Sequence, residues 1–146
     1  MDELAALAGL FAIAFVAATI LPAQSEAALA GLVVLGTSSP VTLVLVASAG
    51  NVLGSLVNWL IGRRVDAFRD KRWFPASPKM LDRASGWYRR YGRWSLLLSW
   101  MPIIGDPLTL VAGVLREPLW SFVLLVALAK TARYVAVVAA VMAAQA

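Results

Sequence analysis

Four charged side chains lie in stretches otherwise too apolar to hold charge: Glu26, Asp106, Lys130 and Arg133. An ionised side chain at the centre of a bilayer costs about 3 kcal/mol or more, so such residues face protein or water and mark paths for protons, ions or charged substrates. The two carboxylates are candidates for proton or ion binding and release. Lys130 and Arg133 are one helical turn apart and share a face with Tyr134. Cations so placed can engage an anionic group such as a phosphate, which arginine grips through its planar fork of donors. Pairing with Glu26 or Asp106 would account for all four charges, and a static salt bridge is the plainer form of that pairing. Capping is a second plain role. Asp106-Pro107 reads as an N-cap followed by a first-turn proline, and Glu26 also suits a helix N-terminus.

Other chemistry is closed off by composition. The chain has no cysteine and no histidine, so it lacks thiol nucleophiles, disulfides, and the commonest metal ligand and general base. We expect no metal site, no cofactor and no enzymatic activity. Hydrophobic residues make up 61% of the chain and charged residues only 14%, whereas a soluble domain carries about 25% charged residues to cover its core. Lipid must therefore be the solvent for much of the surface. The net charge of +5 comes from basic residues that flank hydrophobic stretches. That placement suits a membrane surface and not nucleic acid.

The elements that must hold these charges can be read from four apolar stretches. Val41–Gly62 is free of charge, and Leu119–Ala144 is interrupted only by Lys130 and Arg133. Each matches the roughly 20 residues that span a bilayer as a helix. Leu4–Gly36 holds Glu26 and a break at Pro22, while Trp94–Leu115 holds Asp106 with breaks at Pro102, Gly105 and Pro107. Proline breaks the helical ladder, and broken backbone is tolerated at membrane depth only inside protein or beside water. We therefore expect two re-entrant helical hairpins with tips near Pro22–Glu26 and Pro102–Pro107. The start Met1-Asp2-Glu3 is acidic where a secretory signal is basic, so the first stretch is read as uncleaved.

A short internal repeat fits this picture: Pro22, Glu26 and Ala30-Gly31 against Pro102, Asp106 and Ala112-Gly113. Inverted repeats with a site at broken helices are a common transporter construction. The expected organisation is one all-α membrane domain over 1–146. Its pseudo-repeat halves are 1–62 and 79–146, around a basic cytoplasmic linker, 63–93. That linker holds ten of the thirteen Lys and Arg residues, so the positive-inside rule places it in the cytoplasm. Hairpins then put both termini outside and Arg116 inside; a plain four-span bundle puts the termini inside and Arg116 outside.

Within the linker, Ser77-Pro78 starts an amphipathic helix with Met80, Ala84, Trp87, Tyr88 and Tyr91 on one face, read as a lipid-surface anchor. In Val41–Gly62, Gly50, Gly54, Asn58 and Gly62 recur every fourth residue. Small residues so spaced let helices approach closely. Asn51 and Asn58 are kept as site-lining candidates.

Three stretches carry a family resemblance. They are Leu21-Pro22-Ala23-Gln24-Ser25-Glu26, Gly50-Asn51-Val52-Leu53-Gly54 through Asn58-Trp59-Leu60-Ile61-Gly62-Arg63, and Ser99-Trp100-Met101-Pro102-Ile103-Ile104-Gly105-Asp106-Pro107-Leu108-Thr109 with Ala112-Gly113. On these the chain resembles the DedA (SNARE-associated Golgi protein, VTT domain) superfamily, in its short YqaA-like branch. The resemblance implies opposed re-entrant hairpins and a role tied to proton-motive force, envelope integrity or lipid-carrier movement, such as undecaprenyl phosphate translocation. Larger members carry arginines around the second hairpin's proline; here Ser99, Trp100 and Asp106 stand there, and Lys130 and Arg133 are the available replacements.

The expected function is a proton-coupled inner-membrane transporter or lipid translocase acting on an anionic lipid or small molecule, in a homo-oligomer. The site residues would be Glu26 and Asp106 for protons and Lys130 and Arg133 for the anion. The alternative is a non-catalytic assembly or structural subunit. An intramembrane hydrolase using both carboxylates has only Ile104-Gly105-Asp106 in its favour.

Overall fold

The computed structural model describes residues 2–19, 24–64, 78–100 and 105–145. All regular structure among them is helical. The elements are α1 (Glu3–Thr19), α2 (Gln24–Leu35), α3 (Pro40–Arg63), α4 (Pro78–Tyr91), a 3₁₀ segment (Gly92–Trp100), α5 (Gly105–Val114) and α6 (Leu119–Gln145). Among the described residues, α3 and α6 are the two helices long and apolar enough to cross a membrane. Both leave large apolar side chains outward, among them Leu45 and Leu60 on α3 and Leu124, Leu128 and Val135 on α6. Exposed apolar surface of this extent marks a side that faces a membrane or another protein. Pro22 and Pro102 lie outside the described residues. The helices flanking each break contact one another: α1 touches α2, and the 3₁₀ segment touches α5.

Local sequence explains the ends. Ser39 caps α3, its Oγ accepting the Thr42 N–H at 3.2 Å, and Pro40 takes the first helical position, where a missing N–H costs nothing. Helices α2 and α5 each close with a left-handed residue and a six-to-one hydrogen bond. Gly36 (φ 66°) ends α2, and the Thr37 N–H donates to the Leu32 carbonyl at 3.4 Å. Arg116 (φ 59°) ends α5, and the Glu117 N–H donates to the Ala112 carbonyl at 2.9 Å. This six-to-one closure normally uses glycine, because a side chain crowds the left-handed conformation.

The chain forms two compact units. The first comprises residues 1–54 and 130–146. Its core gathers Leu10 and Ala14 of α1, Leu29 of α2, Leu43 and Ala47 of α3, and Tyr134 and Val138 of α6. Gly50 and Gly54 admit α1 so closely that a Cβ on either would strike the carbonyl oxygen of Phe11 or Phe15.

The second unit, residues 55–129, repeats the device. A Cβ on Gly62 would strike the Leu110 carbonyl oxygen of α5, and one on Gly113 the Trp59 carbonyl oxygen of α3. The fourfold-spaced stripe in α3 is thus a packing seam used along its length, as small residues in membrane helices usually are.

Candidate ion-pair site

The first unit holds a charged cluster built from α2 and α6. Glu26 stands in the first turn of α2, where a carboxylate faces the positive end of the helix. Arg133 lies near the middle of α6, and its Nη2 sits 2.8 Å from Glu26 Oε1. Both side chains are largely shielded, with 14% and 23% exposure. Tyr134, fully buried, shares a 2.8 Å hydrogen bond with Ser25 Oγ. Two further contacts are long. Ser25 Oγ donates to Glu26 Oε2 at 3.4 Å, and Arg133 Nη2 donates to the Tyr134 hydroxyl at 3.4 Å. The Arg133 guanidinium also lies 5.1 Å from the Tyr134 ring centroid. Together these groups make a strong ion pair steadied by a tyrosine and a serine, in surroundings with little water to screen it.

Lys130 is one turn earlier on α6 and is buried. Asn51 is committed to packing: its Nδ2 donates to the Ala14 carbonyl of α1 at 2.8 Å. In the second unit, Asn58 Nδ2 donates to Thr109 Oγ1 at 3.2 Å, tying α3 to α5. Gly105 and Asp106 open α5, and Pro107 is buried in its first turn. The side chain of Asp106 lies outside the described part. Thus Glu26, Arg133 and Tyr134 come together as a cluster, joined by Ser25, which sequence reasoning had not singled out. Its signals were adjacency to Glu26 and a place in the Leu21–Glu26 stretch.

The second unit contains a cluster that sequence reasoning missed altogether. Glu117, buried in the short connection before α6, accepts from Tyr88 Oη at 2.6 Å and from Ser121 Oγ at 2.8 Å. Arg93 Nε lies 3.2 Å from its Oε1, and its main-chain oxygen accepts from Trp59 Nε1 at 3.0 Å. Burial, then the hydrogen bond and charge of Glu117, push the Tyr88 phenol well above its ordinary pKa, against a smaller opposing effect of Arg93. Tyr88 therefore remains a neutral donor. Although it falls on the expected face of α4, it is an internal tie and not a lipid anchor. The sequence signal was a lone acid between Arg116 and Pro118, easily read as loop polarity.

The sequence matches the VTT domain over residues 21–143. It is 43% identical over 140 residues to inner membrane protein YqaA of Escherichia coli, spanning 96% of this chain and 94% of that protein. A Haemophilus influenzae protein is 40% identical over 134 residues, 87% of this chain and 82% of its own length. Undecaprenyl phosphate transporter A of Staphylococcus aureus is 30% identical over 112 residues, which is 70% of this chain and 55% of that protein. No solved structure matches.

Proposed function

This chain belongs to the VTT-domain family of DedA inner-membrane proteins, and on that premise we propose that it is a proton-coupled carrier of an anionic lipid, exchanging the phosphate against a carboxylate at Arg133. The observation that carries this reading is the 2.8 Å pair between Glu26 of α2 and Arg133, the latter on a helix long and apolar enough to span a membrane. A guanidinium held by one carboxylate can be released to another anion when that carboxylate takes a proton. Protonation removes the attraction that held the pair, and arginine's two-pronged donors suit a phosphate equally well. When the phosphate leaves, Glu26 gives up its proton and closes on Arg133 again. One proton is then bound as one anion is bound, and carrier cycles of this type couple the two fluxes.

The similarity to a protein named undecaprenyl phosphate transporter supports a phosphate on a long apolar chain as the cargo. Lys130, buried one turn away, adds positive charge on the same helix for that headgroup. Asp106, in the first turn of α5, is the second proton-binding acid. Re-entrant hairpins at both proline breaks, in inverted repeats with the basic linker cytoplasmic, complete the reading. The contacts between α1 and α2, and between the 3₁₀ segment and α5, are what such hairpins require. A chain this small is taken to work as a homo-oligomer.

The test is transfer of a labelled polyprenyl phosphate across proteoliposomes under an imposed pH gradient. Arg133→Gln should slow transfer by about 10- to 100-fold, the loss of one or two charge-assisted bonds. Glu26→Gln should bind the lipid but lose the response to the gradient. Undiminished transfer by Arg133→Gln would overturn the proposal, and a loss of folded protein without a change in flux per molecule would favour an assembly role.

A further inference from the structure

The outward face of α4 carries a combination that the transport reading leaves unused. Arg83, Gly86, Trp87, Arg90 and Tyr91 line a hollow of about 350 Å³. Arg83 and Arg90 lie two turns apart on the same side of the helix, both exposed. Among the described residues neither has a carboxylate partner. Trp87 and Tyr91 pair at a centroid distance of 5.5 Å while remaining 38% and 45% exposed. Gly86 opens onto this hollow, and a Cβ there would meet nothing within 4 Å.

The inward face explains why these rings stay outside. Ala84 and Tyr88 are buried, and Tyr88 is tied to Glu117 at 2.6 Å. The helix cannot roll to hide Trp87 and Tyr91 without breaking that bond. Nearby, Trp94 and Trp120 are also exposed, and Arg93 lies 5.5 Å from the Trp120 ring. Amphipathic rings mixed with arginine are the composition of a membrane–water interface.

We propose that this hollow binds the phosphate headgroup of an anionic membrane lipid. Arg83 and Arg90 take the phosphate from its two sides, and Trp87 and Tyr91 lie against the glycerol and first methylenes. Charge complementarity selects this occupant: guanidiniums with no carboxylate partner among the described residues border a recess, with apolar rings beside them. The chemistry is that of a juxtamembrane basic site, narrowed from a diffuse surface attraction to a shaped one. The inference is independent of the role given to Arg133.

The full-length protein, purified in mixed micelles containing either phosphatidylglycerol or phosphatidylcholine, can be examined by native mass spectrometry for retained lipid. Phosphatidylglycerol should be retained about tenfold over phosphatidylcholine. The double variant Arg83→Gln with Arg90→Gln should remove the preference. Gly86→Leu keeps every charge, improves helix propensity and fills the recess, so it should lower retention several-fold with no loss of fold. The drop produced by Gly86→Leu should be of the same size in an Arg133→Gln background, which separates this site from the transport site. Full retention by Gly86→Leu would reduce the effect to diffuse charge and overturn the proposal. So would disappearance of the Gly86→Leu drop in the Arg133→Gln background, or displacement by inorganic phosphate as effective as by lipid, which would remove the need for a membrane ligand.

Discussion

The molecule contains two clusters of the same four side-chain types, a glutamate, an arginine, a tyrosine and a serine, and they are built differently. Around Glu117 the carboxylate is saturated, with donors from Tyr88, Ser121 and Arg93 at 2.6, 2.8 and 3.2 Å. It sits at a junction of helix ends, where fixed geometry is easy to provide. Around Glu26 the described residues give one short contact, Arg133 at 2.8 Å, and one long one, Ser25 at 3.4 Å. The tyrosine there bonds to serine instead of to the carboxylate. A saturated acid resists change, since each donor left behind unpaired costs about 1–3 kcal/mol. An acid held chiefly by one cation can exchange it. The same residues thus make a fastening in one unit and, in our reading, a switch in the other.

The largest effect that sharpens this contrast is on transport. Arg133→Gln should lower polyprenyl phosphate transfer by about 10- to 100-fold, whereas Arg93→Gln should change transfer per folded molecule by less than about twofold. Equal losses in the two variants would erase the distinction. On stability the order reverses. Glu117→Ala should cost about 2–3 kcal/mol, because several donors lose their acceptor, and would show as a lower midpoint for thermal unfolding in detergent. Glu26→Gln should cost less.

The packing seam gives a control of similar size that touches neither cluster. Gly54→Leu should destabilise by about 1–3 kcal/mol, since the backbone of α1 occupies the space a side chain needs. Smaller still is Tyr88→Phe, expected to cost about 1 kcal/mol. The raised pKa of Tyr88 gives this bond a definite pH window. Its contribution is complete below pH about 10, where tyrosine is neutral even unfolded, and declines only as pH rises towards the folded value. Unfolding midpoints of wild type and Tyr88→Phe should therefore stay separated across neutral pH and converge only in strong alkali. The smallest effect runs the other way: Arg116→Gly should stabilise by up to about 1 kcal/mol, because glycine fits the left-handed turn.

Much of this was legible in the sequence. A charge-free run announced α3, a long apolar run broken only by Lys130 and Arg133 announced α6, a fourfold recurrence of small residues announced the seam, and an arginine amid apolar residues announced the need for a partner. The partner itself was narrowed to two acids, and Glu26 is the one that pairs with Arg133 in the described contacts. Glu117 was not legible, because its importance comes from donors far apart in sequence, at 59, 88, 93 and 121. Nothing in the local residues Arg116-Glu117-Pro118 distinguishes a buried hub from a polar turn. For the same reason Tyr88 read as one more aromatic on an amphipathic face. Periodicity locates a face but does not say what the face meets.

The measurement that tests the central claim most directly is the pH dependence of phosphate-lipid binding, compared between wild type and Glu26→Gln. If the Glu26 carboxylate and the phosphate compete for Arg133, wild-type affinity should rise as pH falls, while Glu26→Gln should bind at the low-pH affinity throughout. Equal pH dependence in the two proteins, or weaker binding by Glu26→Gln, would contradict the exchange and leave the Arg133–Glu26 pair as a structural bond.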